Sequence, residues 1–98
     1  MKGFGEKNQS KQRKKLNNKE IFNIDQLINK AFKLQAQGRK LEAAKYYAYL
    51  IKNGIKDYKV FSNYGIFLNE IGKHKEAELN LKKAISLNPK YANAYYNL

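Results

Sequence analysis

The chain of 98 residues has no cysteine, a single proline, a single histidine and only eight acidic residues. Without cysteine there is no disulfide framework, no thiol catalyst and no thiolate metal site, and the redox compartment stays open. No apolar run approaches the roughly 18 residues of a membrane span. The N-terminal stretch "MKGFGEKNQSKQRKK" is basic but lacks the apolar segment of a secretory signal. The expectation is a cytoplasmic protein with no membrane association.

What remains is small, basic and rich in helix-compatible residues. The length suits one small domain, and an apolar fraction of 43% permits a core. Twenty Lys and Arg give a net charge of +12, which attracts phosphate-rich partners or anionic surfaces. Its distribution weakens that reading. Residues 1–20 carry seven basic residues against two Glu, and the other thirteen are spread among six acidic ones. The chain is also rich in Asn, Ile and Tyr, which with Lys are the residues of A/T-rich codons. A coding bias therefore accounts for much of the charge without any function.

Residues 1–18 read as a disordered basic tail, with only Phe4 and Leu16 as large apolar groups. From Ile21 the spacing becomes helical. Ile24, Leu27, Ala31 and Leu34 line one helix face and end at Gly38. Leu41, Ala44, Tyr47, Leu50 and Ile51 form a second stripe that breaks at Asn53-Gly54. Tyr58, Phe61, Tyr64, Gly65 and Leu68 form a third, ending at Gly72. Ala77, Leu81, Ala84, Ile85 and Leu87 form a fourth, and the only proline, Pro89, stands where that helix must already have stopped. Nothing alternates with period two, so the fold class is all-α.

A shift of the chain against itself by 34 residues organises these stripes. Gly38 falls on Gly72, Ala43 on Ala77, Leu34 on Leu68, Ala31 on Gly65 and Leu27 on Phe61. Phe61 in turn falls on Tyr95, and Tyr64 on Leu98. Small residues at Ala31/Gly65 and Ala43/Ala77 let two antiparallel helices approach. Larger ones at Leu27/Phe61, Leu34/Leu68 and Tyr47/Leu81 fill the space between them. Gly38 and Gly72 permit the tight turns.

A 34-residue helix–turn–helix unit of this pattern resembles the tetratricopeptide repeat. The match is best from Tyr58 to Tyr91: Phe61, Tyr64-Gly65, Leu68, Gly72, Ala77, Leu81, Ala84 and Pro89 stand at the signature positions. The unit at about 24–57 departs from it, with Lys30-Ala31 at the Leu-Gly pair, Leu50 where Ala is usual and Ile55 where Pro is usual. Those departures suit a terminal repeat, one face of which has no neighbour. Residues 92–98 look like the opening of a third repeat. The expected architecture is thus a short α-solenoid of tandem antiparallel helix–turn–helix repeats over residues 19–98.

The resemblance implies a protein-interaction scaffold in which the first helix of each repeat lines a groove for a peptide or protein segment. Carried over by position, the groove residues are Asp25, Ile28, Phe32 and Gln35 from the first repeat. The second supplies Lys59, Ser62, Asn63, Ile66, Asn69 and Glu70, and the third Asn93, Tyr96 and Asn97. Amide, apolar and aromatic groups of this kind suit hydrogen bonding to an extended backbone. The alternative is that they are ordinary solvated or packing positions. Chaperone-binding members of the family clamp a C-terminal carboxylate with Lys, Asn, Asn, Lys and Arg. Here those positions are Ile28, Phe32, Asn63, Asn93 and Asn97, so every cation is missing and that mode is excluded.

Catalysis has little support, and the expectation is a protein that is not an enzyme and carries no metal or cofactor. His74 sits in "GKHKEAE" at a turn-to-helix junction beside Lys73 and Lys75, without the orienting partner and substrate-lining position of a general base. Glu76 and Glu78, two apart, point to different helix faces. The segment "KGFGE" lacks the strand–loop–helix context of a phosphate loop. Non-specific nucleic-acid binding by the basic run Lys11–Lys15 is the rival reading, with Tyr46, Tyr47 and Tyr49 expected to pack rather than stack on bases. Tyr95 and Leu98 occupy anchor positions with no second helix to clasp them, which predicts self-association or a partner at that end. A basic leader before helical hairpins also resembles the N-terminal part of longer bacterial repeat proteins, some of which carry a transferase domain.

Overall fold

The structure is a computed structural model describing residues 18–90, with side chains from residue 23 onward. Four helices account for it: α1 (Asn18–Ala36), α2 (Lys40–Lys52), α3 (Tyr58–Glu70) and α4 (His74–Leu87). No strand occurs among the described residues. α1 packs on α2, α3 on α4, and α2 joins the two pairs by packing on α3. The fold is therefore all-α, two antiparallel hairpins side by side, as the periodicity predicts. Helix α1 begins at Asn18, the last residue assigned to the tail. The rest of that tail and the expected third repeat, with Asn93, Tyr96 and Asn97, lie outside the described residues.

The 34-residue period recurs in the backbone itself. α1 ends at Ala36 and α3 at Glu70; α2 starts at Lys40 and α4 at His74. Between them Gly38 and Gly72 adopt φ of +82° and +85°, a left-handed conformation that glycine reaches without a Cβ penalty. The Arg39 N–H donates to the Leu34 carbonyl at 2.9 Å, and the Lys73 N–H to the Leu68 carbonyl at 2.8 Å. The Gly38 N–H donates to Gln35 at 2.9 Å and the Gly72 N–H to Asn69 at 3.1 Å. Each turn thus satisfies the orphan carbonyls of the preceding helix by the same pair of bonds. The next residues, Arg39 and Lys73, both have φ of −88°, with ψ of 66° and 67°. Their carbonyls accept the first helical bonds, from Ala43 at 3.0 Å and Ala77 at 2.9 Å.

The link between hairpins uses a different chemistry at each end. Gly54, at φ +88°, closes α2, with the Ile55 N–H donating to the Leu50 carbonyl at 3.1 Å. Asp57 then caps α3, its Oδ1 accepting from the Lys59 N–H at 2.8 Å.

Packing follows the stripes with two corrections. Ala31, Leu34, Ala43, Tyr47, Leu50 and Val60 form the main buried cluster; Phe61 and Ala84, with Ile51, Ile55, Tyr58, Ile85 and Leu87 against them, form the second. Leu41, expected to open the second stripe, is 64% exposed, whereas Ala44, Tyr47 and Leu50 of that stripe are buried as expected. Val60, outside the third stripe, is fully buried because it leaves α3 on the side facing hairpin 1. The small-residue positions act as expected. A Cβ on Gly65 would lie 2.7 Å from Leu81 Cγ and 2.9 Å from its Cδ2, so α3 and α4 meet there as closely as side chains allow.

Candidate functional site

The expected groove residues of α1 and α3 converge on a residue assigned to packing alone. Tyr47 of α2 is buried, and its ring lies against Phe32 at 6.2 Å between centroids, tilted by 52°. Its hydroxyl donates to Oε1 of Gln35 on α1 and accepts from Nδ2 of Asn63 on α3 at 3.3 Å. Burial raises the Tyr47 pKa, with the Asn63 hydrogen bond opposing it, so the phenol stays protonated as the donor. The buried hydroxyl of one second helix thus ties together the first helices of both hairpins. The signal available in the sequence was a tyrosine at a core position, since such a hydroxyl needs a polar partner.

The remaining expected groove residues are placed unevenly. Ile28 and Phe32 pack half-buried against the main core, and Ile66 is half-buried on α3. Asp25 and Lys59 are exposed. Asn69 Oδ1 lies 2.9 Å from Nδ1 of His74, across the hairpin-2 turn. Glu70 pairs with Lys40 at 3.3 Å, an ion pair that links the two hairpins. Ser62 differs from expectation: it is wholly buried, its Oγ has no hydrogen-bond partner, and it presents no surface to a partner. The family resemblance put it in the groove beside Asn63, but the packing of α3 closes over a side chain that small.

A second surface lies on the open edge of hairpin 1, the side that corresponds to the one hairpin 2 turns towards hairpin 1. Leu27 on α1 and Lys45, Tyr46 and Tyr49 on α2 line a shallow groove of about 330 Å³. Beside it the Glu42 pKa is lowered, first by the hydrogen bond from Arg39 and further by the charges of Arg39, Lys45 and Lys30, against a partial desolvation. Arg39 holds that carboxylate through two contacts, Nε–Oε1 at 2.6 Å and NH2–Oε2 at 2.8 Å. The same neighbours recur 34 residues on: the Tyr64 pKa is raised by burial and then by Glu76. Lys30 beside Glu42 is the counterpart of Tyr64 beside Glu76.

Among the described residues no group of three or more His, Asp or Glu could hold a metal ion. No helix described is long and apolar enough to cross a membrane. His74 is exposed at the start of α4, and Glu78 pairs with Lys82 at 3.1 Å. Compared with protein-family models, curated proteins and solved structures, the chain has no significant match.

Proposed function

We propose that this chain is a tetratricopeptide-type binding module that holds an extended peptide or protein segment along the shared face of α1 and α3. In this reading it is a scaffold and not a catalyst. The observation that carries it is the Gln35–Tyr47–Asn63 bridge, which brings polar groups from both first helices to one place. A hydroxyl donates once, so one amide meets Tyr47 through its oxygen and the other through its nitrogen. Whichever way round, a free NH2 and a free carbonyl oxygen remain at neighbouring positions. That donor and acceptor match the acceptor and donor of a peptide unit. Ile28, Phe32 and Ile66 add apolar contact along the same helices. The period-34 recurrence of turns, caps and electrostatic neighbours supports the repeat assignment.

The test is selection of peptides from a displayed library on the full chain, followed by titration of a labelled winner. Ile66→Glu is expected to weaken binding at least about tenfold while circular dichroism stays unchanged. Binding is expected to change little with added salt, unlike the steep loss that phosphate contacts produce. Recovery of nucleic acid alone, released by moderate salt, would overturn the reading, as would winners indifferent to Ile66→Glu.

A further inference from the structure

The open edge of hairpin 1 differs from its counterpart in a way that repeat packing does not require. In hairpin 2 the edge facing hairpin 1 is apolar on the first helix, where Val60 and Tyr64 pack into the main core. The positions on α4 that correspond to Tyr46 and Tyr49 are polar, Asn80 and Lys83. The positions 34 residues earlier invert this. Gln26 and Lys30 on α1 are polar and exposed, whereas α2 carries Tyr46, half-buried, and Tyr49, 57% exposed. Leu27 floors the groove between the helices. Another hairpin of the same kind, which needs an apolar first helix to pack on, does not fit this edge.

Charge narrows the occupant. Residues 23–55 hold six cations and two carboxylates. Arg39 is paired with Glu42 and Lys40 with Glu70, while Lys30, Lys33, Lys45 and Lys52 have no ion pair among the described residues. A second copy of this chain or its own basic N-terminal segment would bring like charge to these lysines. Between anionic occupants, the lining decides. Only Tyr49 offers a ring largely free for stacking, while Tyr46 is a half-buried wall and the floor is aliphatic. That geometry takes an inserted apolar side chain better than a tracked run of bases. Within the molecule Phe61, the counterpart of Leu27, is likewise packed among aliphatic side chains, Ile51 of α2 and Ile55 of the loop that follows it.

We propose that this edge docks an acidic amphipathic helix of a partner protein. Aliphatic residues four apart seat over Leu27 between Tyr46 and Tyr49, and flanking carboxylates meet Lys30 and Lys45. The site is separate from the α1–α3 face, so loss of either binding activity leaves the other intact.

The probe is a fluorescein-labelled synthetic helix of roughly 20 residues, long enough to be helical, with Leu and Ile on one face and Glu on both flanks. Anisotropy titration of the full chain is expected to show saturable binding. Tyr49→Ala is expected to weaken it about tenfold, and Lys45→Glu about three- to tenfold with a reduced salt dependence. Both side chains are exposed, so neither variant threatens the fold. Leu79→Ala and Lys83→Glu on hairpin 2, and Ile66→Glu on the other face, are expected to leave it unchanged. Equal binding of a scrambled peptide of the same composition would overturn the proposal, because charge alone would then suffice. So would tighter binding of a single-stranded oligonucleotide with the same Tyr49 dependence. Concentration-dependent dimerisation abolished by Tyr49→Ala would assign the edge to a second copy instead.

Discussion

The two hairpins share one backbone plan and differ in how they use it. Their turns agree within a few degrees at glycine and at the residue that follows it, and within about 0.2 Å in the hydrogen bonds that close them. Their interiors do not agree. Hairpin 1 packs Ala31 and puts Tyr47 in the core, with a hydroxyl that reaches both neighbouring first helices. Hairpin 2 has Gly65 against Leu81 and no polar group at that point. Backbone turns tolerate few solutions, because positive φ without a Cβ fixes both the residue and the bond pattern. Core positions accept many side chains of suitable volume, so they are where a repeat acquires a task.

The largest expected effect comes from the residue on which the hairpins differ most. Tyr47→Ala should cost about 3–5 kcal/mol in denaturant unfolding, as for other large aromatic truncations in a core. Tyr47→Phe keeps the packing and removes only the hydroxyl. It should cost about 0.5–1.5 kcal/mol and yet weaken peptide binding, because Gln35 and Asn63 lose their shared anchor. Equal peptide affinity for Tyr47→Phe and the parent chain would show that the bridge serves stability only.

Gly65→Ala comes next, since it gives hairpin 2 the residue of hairpin 1. The added methyl meets Leu81 Cγ at 2.7 Å, an overpacking cost of about 1–3 kcal/mol, partly offset by about 1 kcal/mol of helix propensity. A net loss of about 0–2 kcal/mol is expected by chemical denaturation, and pairing it with Leu81→Ala should relieve the clash. If Gly65→Ala stabilises the chain, the close approach of α3 and α4 is looser than described.

The turn glycines give a smaller but sharper test of equivalence. Gly38→Ala and Gly72→Ala each force a side chain into the left-handed region, for about 1–2 kcal/mol. Neither methyl would meet another atom within 4 Å, so backbone strain is the only cost. The two losses should agree to within about 0.5 kcal/mol. Smallest of all, Lys40→Ala removes an ion pair whose side chains are about half exposed, and should cost at most about 0.5 kcal/mol. A larger loss would mean that the hairpins depend on that pair for their alignment.

Much of this comparison could be read from residue order. Gly38 and Gly72 announced the turns, and Ala31, Gly65, Ala43 and Ala77 marked where helices meet, because these roles depend on the backbone and on nearest neighbours along a helix. Val60 was missed because a helix with two buried faces shows only its stronger stripe in a one-dimensional pattern. Leu41 was misplaced because its spacing matches Ala44, yet it is 64% exposed while Ala43 and Ala44 are buried. At the candidate site, the family resemblance placed Gln35 on the first helix of one repeat and Asn63 on the first helix of the next. It did not show that a buried hydroxyl 12 and 16 residues away joins them. Ser62 was assigned to the groove by the same resemblance, and its burial follows from how α3 packs, which no local spacing encodes. The tyrosines at 46 and 49 were expected to pack together with Tyr47; only Tyr47 does so fully.

The central claim is that the first helices of two repeated hairpins form one binding face, joined at Tyr47. It is tested most directly by nuclear magnetic resonance of the labelled full chain during titration with a selected peptide. The side-chain amide signals of Gln35 and Asn63 are expected to shift together, with one apparent affinity, and the Ile28 and Ile66 methyl signals with them. Shifts confined to one hairpin, or to residues away from α1 and α3, would contradict the account.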